Sequence, residues 1–220
     1  MSAPSKKEAI RIIYDSAILY KANLSGKNVL FVTVDDDRAS FFETSFQPGN
    51  FLHLTGVKSS ISGERFLEAV LSGKIGPSNI EFTSGGTAEL KLEILQRLMS
   101  IHVAARMIGD YDNSKPLLIT DKFAGTVTMA MGFIQINNLY IPNTAMKKDV
   151  REITTQATRR KVAAIFVKPR NDSMYATLTY IAKGLTLDDD AFLSVLRERI
   201  DLQNLTAAFP IPRRSAPENE

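Results

Sequence analysis

Hydrophobic positions recur at helical intervals early in the chain and at the two-residue interval of strands later on. Ile10, Ile13, Tyr14, Ala17 and Leu24 follow Ser5-Lys6-Lys7-Glu8, whose serine and glutamate have capping-box spacing, and Gly26 supplies the stop. One amphipathic helix over residues 6–23 is predicted. The β-branched and aromatic run 28–34, the polar Asp35-Asp36-Asp37-Arg38 and a second extended run through Phe41, Phe42 and Phe46 predict two strands joined by an acidic turn. Residues 62–71 read as a short helix with Phe66, Leu67, Val70 and Leu71 on one side, and residues 80–82 as a short extended piece. The longest helical pattern covers residues 87–107, with Leu90, Ile94, Leu95, Leu98, Ile101 and Ala105 on its apolar stripe.

The second half changes period. A run at 117–122, a turn at Phe123-Ala124-Gly125, a run at 126–136, a turn at Asn137-Asn138 and a run at 139–141 before Pro142 describe an antiparallel meander. Within it Val127, Met129, Met131 and Phe133 alternate onto one face, as a half-buried strand requires. Residues 142–158 are polar and fit either a short helix around 147–155 or a covering loop. Strands are predicted at 161–168 and 174–183, joined by a turn through Asn171 and Asp172. On the second of these Tyr175, Thr177, Thr179 and Lys183 share a face. A capped helix follows over 188–200, with aspartates in its first turn and Arg197 and Arg199 in its last. No repeat or linker divides the chain, so the expectation is one α+β domain over residues 1–208, N-terminal helices plus an antiparallel β-meander sheet, with a loosely ordered tail over 209–220.

Composition narrows the function classes. The chain has 220 residues, 44% of them hydrophobic, enough for a sizeable core. Its 27 Lys and Arg against 24 Asp and Glu leave a formal charge of +3, so affinity for a polyanion has to come from how the cations are grouped. Absence of cysteine removes disulfides, thiolate metal sites and thiol catalysis, and fits a reducing compartment. Charges at Lys6, Lys7, Glu8, Arg11, Asp15 and Lys21 exclude a signal peptide or membrane span in the first 27 residues, and a soluble cytoplasmic protein is expected.

There are two histidines. His53 lies in Phe51-Leu52-His53-Leu54-Thr55-Gly56-Val57-Lys58, beside a hydroxyl, a glycine and a cation, which makes this stretch the first place to look for near-neutral proton transfer. The competing reading of His53, between leucines, is a buried histidine bonding a loop carbonyl. His102 falls on the apolar side of its helix and is expected to be packed with one nitrogen satisfied. The triple aspartate at 35–37 reads as a solvated turn, because adjacent turn residues diverge and no glycine follows at calcium-loop spacing; no metal or cofactor is expected. Gly85-Gly86 at a helix start lacks the full phosphate-loop pattern and reads as a plain cap.

In the sheet half, Lys122, Lys168, Arg170, Tyr175, Thr177 and Lys183 are the candidates. If Asn171 and Asp172 centre the turn, Lys168 lies across from Tyr175, and one sheet face carries a cation, a phenol and a hydroxyl suited to a phosphate. Such groups with one imidazole match RNA cleavage by the 2′-hydroxyl, in which the substrate supplies its own nucleophile and no metal is required. The competing reading is ordinary: edge lysines and arginines are solvated or guard against edge pairing, and threonines are strand formers.

The blocks NFLHLTGVK (residues 50–58), IGDYD (108–112), TDKFAG (120–125), YIP (140–142) and ATLTYIAK (176–183) resemble a phage- and mobile-element-associated family, the fourth phage-type branch of the barnase, EndoU, colicin and RelE-like nucleases. The resemblance covers about residues 7–183 and is most specific in FLHLTG. It implies an α+β fold and a metal-independent endoribonuclease, a toxin or defence-related effector. The catalytic positions would be His53, Thr55, Lys58, Lys168 and Thr177, and the substrate-binding ones Lys122, Arg170, Tyr175 and Lys183. The chain departs from that pattern in lacking a second well-placed histidine or a clear glutamate base. The expected partners are RNA and an antitoxin or host protein. Two rival functions stay open: a non-catalytic phage accessory protein that binds RNA or protein on the same scaffold, and a nucleotide-dependent transferase.

Overall fold

The computed structural model describes residues 4–35, 38–83, 87–114, 118–187 and 196–212. Asp36, Asp37, the Ser84-Gly85-Gly86 turn, most of the helix expected over 188–200 and the tail beyond 212 lie outside the described residues. Helix α1 (Lys6–Asn23) starts at the expected capping box: Ser5 accepts from the Glu8 amide, and the Glu8 carboxylate accepts from the Ser5 amide at 2.8 Å. Strands β1 (Lys27–Asp35) and β2 (Arg38–Phe46) form the expected hairpin, in register from Lys27 opposite Phe46 to Asp35 opposite Arg38. Helix α2 (Asn50–Thr55) follows, then β3 (Val57–Ser59), α3 (Gly63–Leu71) and β4 (Ile80–Phe82), with β3 and β4 paired as a small separate ribbon.

The single helix expected over 87–107 is divided into α4 (Thr87–Leu98) and α5 (Ile101–Ala104), and Met107 already belongs to β5 (Met107–Asp110). Helical periodicity loses there because β5 bonds a neighbour along each edge. The remaining elements are β6 (Lys122–Gly125), β7 (Ala130–Ile136), β8 (Leu139–Met146), α6 (Val150–Ile153), β9 (Arg160–Pro169), β10 (Thr177–Ile181) and β11 (Thr206–Ala207).

The sheet corrects the expected antiparallel meander. Strands run in the order β1-β2-β8-β7-β6-β5-β9, and β9 pairs back onto β1, which closes seven strands into a ring. The ring is mixed, since β2 and β8 are parallel where Thr44 meets Tyr140. Two local misreadings hid this. Phe123, Ala124 and Gly125, read as a turn, are ladder residues of β6. Pro142, read as a strand end, is carried within β8 because it sits at an irregularity opposite Phe133 where a ladder bond is not needed. Strands β10 and β11 extend the sheet beyond β9.

Side chains alternate between two environments. Inside the ring, Phe31 and Phe42 stack at 4.9 Å, and Phe133 meets Phe42 at 5.5 Å. Phe46 at the end of β2 stands between Phe133 and Tyr20 of α1, so the helices stop the ring at that end. On the other face of β1 and β9, Leu30, Val32, Ala164 and Phe166 are covered by Tyr175, Leu178 and residues 196–212, with Phe209 and Ile211 packed against them. Among the described residues no helix is long and apolar enough to cross a membrane.

Candidate active site

Above the Phe31, Phe42 and Phe133 floor the ring becomes polar. Thr33 and Ser40, opposite each other two pairs before the last pair of the hairpin, Asp35 and Arg38, share a hydrogen bond of 2.8 Å between their hydroxyls. Lys122 opens β6 directly opposite both Asp110 and Phe133, and so turns into the same space. A cavity of about 100 Å³ is lined by Phe31, Thr33, Ser40, Phe42, Lys122, Thr158 and Arg160. It adjoins a wider hollow bounded by Asp35, Arg38, Ser40 and Arg160.

Three charged groups here are held from behind. Lys122 forms an ion pair with Asp110 and stands 5.8 Å from the ring centre of Tyr140. Asp110 is fixed through its backbone: its amide donates to Thr158 Oγ1 at 3.0 Å and its carbonyl accepts from the Thr155 amide at 3.0 Å. Gly109 permits this close docking, because a side chain there would run into Thr154. Arg160 pairs with Asp35 at 2.6 Å. The Asp110 carboxyl group stays 45% exposed while the Lys122 side chain is only 19% exposed, so the anion faces solvent and the cation lines the cavity.

A second polar cluster lies on the opposite face of β1, β2 and β9. Glu43 Oε1 accepts from the Tyr175 hydroxyl at 2.7 Å and from Asn28 Nδ2 at 3.1 Å, with Arg199 at 3.5 Å from its other oxygen and Lys168 at 3.9 Å. Lys168 also donates to the Ser173 carbonyl and lies 4.8 Å from the Tyr175 ring centre. Burial, with the Glu43 charge beside it, pushes the Tyr175 phenol well above its ordinary range, so it stays a proton donor to Glu43. Asn28 Oδ1 and Ser45 Oγ, cross-strand neighbours in this cluster, are buried without a hydrogen-bond partner.

The expected site residues therefore separate. Lys168 and Tyr175 do meet, on Glu43. Thr177 pairs with Val167 and so turns to the face opposite Lys168, while Arg170 and Lys183 are exposed beyond the strand ends. His53 is exposed on α2, which leaves the far end of β2 from the ring mouth, about 25 Å away along a nine-residue strand. Its flanking leucines did not bury it. Thr55 is fully buried and its hydroxyl donates to the Leu52 carbonyl at 2.7 Å, which makes it a helix-end residue rather than a surface hydroxyl. Lys58 is exposed on β3 opposite Glu81. Of the nine, Lys122 alone lies in the ring mouth. His102 differs from expectation in one respect: its Nδ1 is buried without a partner, and burial holds its pKa down at about 4, with Lys27 adding to the effect.

Sequence reasoning missed Asp110, Tyr140, Arg160 and Glu43. A signal existed for Glu43, a lone carboxylate at a position that alternates onto the face of Leu30 and Val32. For the mouth the signal was the resemblance itself, since IGDYD, TDKFAG and YIP supply Asp110, Lys122 and Tyr140. No curated protein and no solved structure matches the chain. Residues 12–184, which carry all three of those segments and Arg160, match the model of the phage-Barnase-EndoU-ColicinE5/D-RelE like nuclease4 family, and the chain belongs to that family.

Proposed function

We propose that the protein is an endoribonuclease that cleaves RNA by attack of the 2′-hydroxyl, without a metal, at the mouth of the strand ring. The observation that supports this reading is the meeting of three family-bearing segments as one ion pair, Asp110 with Lys122, beside Tyr140 and Arg160 and over a cavity lined by hydroxyls. A scissile phosphate settles on Lys122, Arg160 and Arg38, which neutralise the charge that grows at phosphorus. The exposed Asp110 carboxylate takes the 2′-hydroxyl proton as the 2′-oxygen bonds to phosphorus. Lys122 gives a proton to the departing 5′-oxygen as that bond breaks, leaving a 2′,3′-cyclic phosphate and a free 5′-hydroxyl. Protonated Asp110 and neutral Lys122 then restore the ion pair by one transfer across their own hydrogen bond.

His53 takes no part in this scheme. The role is that of a toxin or defence-related effector of a phage or mobile element, with RNA as substrate. Incubation of wild type, Lys122→Met and Asp110→Asn with total RNA in EDTA tests it. Wild type should release cyclic-phosphate ends and both variants should lose cleavage while keeping their fold. No cleavage by wild type returns the protein to a non-catalytic RNA- or protein-binding role, and equal cleavage by all three removes the chemistry from the ring mouth.

A further inference from the structure

The FLHLTG block builds something other than a catalytic histidine. Gly56 ends α2 at φ +76, and a Cβ on it would meet Lys91 Cδ at 2.8 Å and the Ala88 backbone at 3.0 Å. Only glycine lets the stem of Lys91 lie across this joint. The Gly56 carbonyl is held by Thr83, whose hydroxyl is 3.0 Å from that of Thr87, and the Lys91 ammonium reaches the His53 carbonyl at 3.4 Å. The block thus acts through its backbone, as a cradle for one lysine.

That lysine lines a cavity of about 290 Å³ between α4 and the end of β8. Leu90, Leu118, Ala145 and Met146 make its walls mainly apolar, Thr87 and Thr144 add hydroxyls, and Lys147 and Lys148 stand at its side. Lys147 is taken up by Glu93. Lys91 has a carbonyl partner at long range, and burial lowers its pKa, so its charge is poorly solvated where it stands. Leu90, expected on the core stripe of its helix, is instead half exposed over this space. An apolar chamber with a partly buried, poorly neutralised cation, Lys91, in its wall and the exposed Lys148 at its side suits a flat apolar body joined to an anion.

We propose that this cavity is a nucleotide subsite for the RNA strand, taking one base against Leu90, Leu118 and Met146 and its phosphate on Lys91. The assignment rests on the ribonuclease reading for its ligand class, and it makes Lys91 a binding and specificity residue rather than a catalytic one. Strand β8 carries Tyr140 at the ring mouth and Thr144 to Met146 at the cavity, so one strand of RNA a few nucleotides long serves both.

Fluorescence anisotropy with a labelled 2′-O-methyl RNA strand of about ten nucleotides, which has no hydroxyl to attack, measures binding apart from cleavage. Lys91→Met keeps the stem over Gly56. It should weaken binding about tenfold and lower the slope of log affinity against log salt by about one, as loss of one phosphate contact does. Leu90→Ser should weaken binding about fivefold with an unchanged salt slope, through the lost base contact alone. With unmodified RNA, Lys91→Met should raise KM and leave kcat unchanged. An unchanged affinity and salt slope in Lys91→Met, or a fall in its kcat at saturating RNA, overturns the subsite. Lys91-dependent binding without any cleavage by wild type would retain the subsite and remove the nuclease reading. Cleavage that needs Lys122 but ignores Lys91 would do the reverse.

Discussion

The ring mouth and the Glu43 cluster are made from the same four kinds of side chain. Asp110, Lys122, Tyr140 and Arg160 stand at the mouth; Glu43, Lys168, Tyr175 and Arg199 stand on the opposite face of the sheet. Each has a lysine beside a tyrosine ring. Glu43 is 16% exposed, and its oxygens are engaged by a phenol, an amide, a guanidinium and an ammonium. Asp110 is three times as open and keeps room for a further donor. A carboxylate whose lone pairs are already taken has nothing left to accept a substrate proton, so saturation, and not residue type, separates a structural polar cluster from a chemical one. The cover that completes the Glu43 cluster comes from residue 199 and its neighbours, past the end of the family match at residue 184.

The comparison is sharpest in a double dissociation. Lys122→Met should lower the rate of RNA cleavage about 10²- to 10³-fold, the usual loss when one group that stabilises developing charge is removed, with little change in the denaturation midpoint. Should stability fall as steeply as the rate, the mouth is structural too and the contrast collapses. Glu43→Leu should do the opposite. Removing one partner from a largely buried charge network costs about 3 kcal/mol, read as a lowered urea midpoint, while the folded fraction cleaves RNA at the wild-type rate. A rate loss there beyond the unfolded fraction would move the chemistry to the sheet face.

Acid sensitivity isolates a third place, since neither group of four includes a histidine. The His102 pKa is about 4 in the fold against 6.5 for an unperturbed histidine, so the folded state holds it neutral. Stability from this source is complete above about pH 6.5 and is lost as pH falls from there towards 4. With solvent screening of a site still partly open, wild type should lose on the order of 2 kcal/mol more than His102→Phe between pH 7 and pH 4.5 in urea titrations. Equal losses would mean that the imidazole is charged in the folded protein. The smallest effect belongs to His53→Gln, an exposed position: under about 0.5 kcal/mol in stability and no more than a twofold change in cleavage. A larger rate change would restore the imidazole to the mechanism.

What was legible in the sequence followed from local rules. The capping box and the β1–β2 hairpin depend on spacings within a few residues, and each formed where those spacings put it, while the segment left open between a short helix and a covering loop resolves into the short helix α6. Lys168 and Tyr175 do lie together, though not through an Asn171-Asp172 turn: Asp172 bonds back to the Pro169 carbonyl, so Arg170 and Asn171 centre the turn, and Tyr175 bonds Arg199 and Asp201 instead of β9. The mouth was not legible. Asp110, Lys122, Tyr140, Arg160 and Ser40 come from five strands whose pairings span most of the chain, and Lys122 was misplaced because a glycine three residues later suggested a turn. His53 drew attention through its side chain, whereas the structure uses its carbonyl and the neighbouring glycine, which no residue-type argument distinguishes.

Ring closure also dictates the order in which this molecule can be completed. Strand β1 is bonded along one edge to β2, made within a few residues of it, and along the other to β9, whose register places Lys27 beside Pro169. The second bond is among the most sequence-distant in the chain, and loop closure of that length is slow compared with helix and hairpin formation. On the ribosome, β1 has an open edge until β9 has emerged, and Arg160, which borders the mouth, arrives with that same strand. The mouth is therefore finished only when the edge is sealed, so assembly of the barrel and onset of the chemistry proposed for it become one late event.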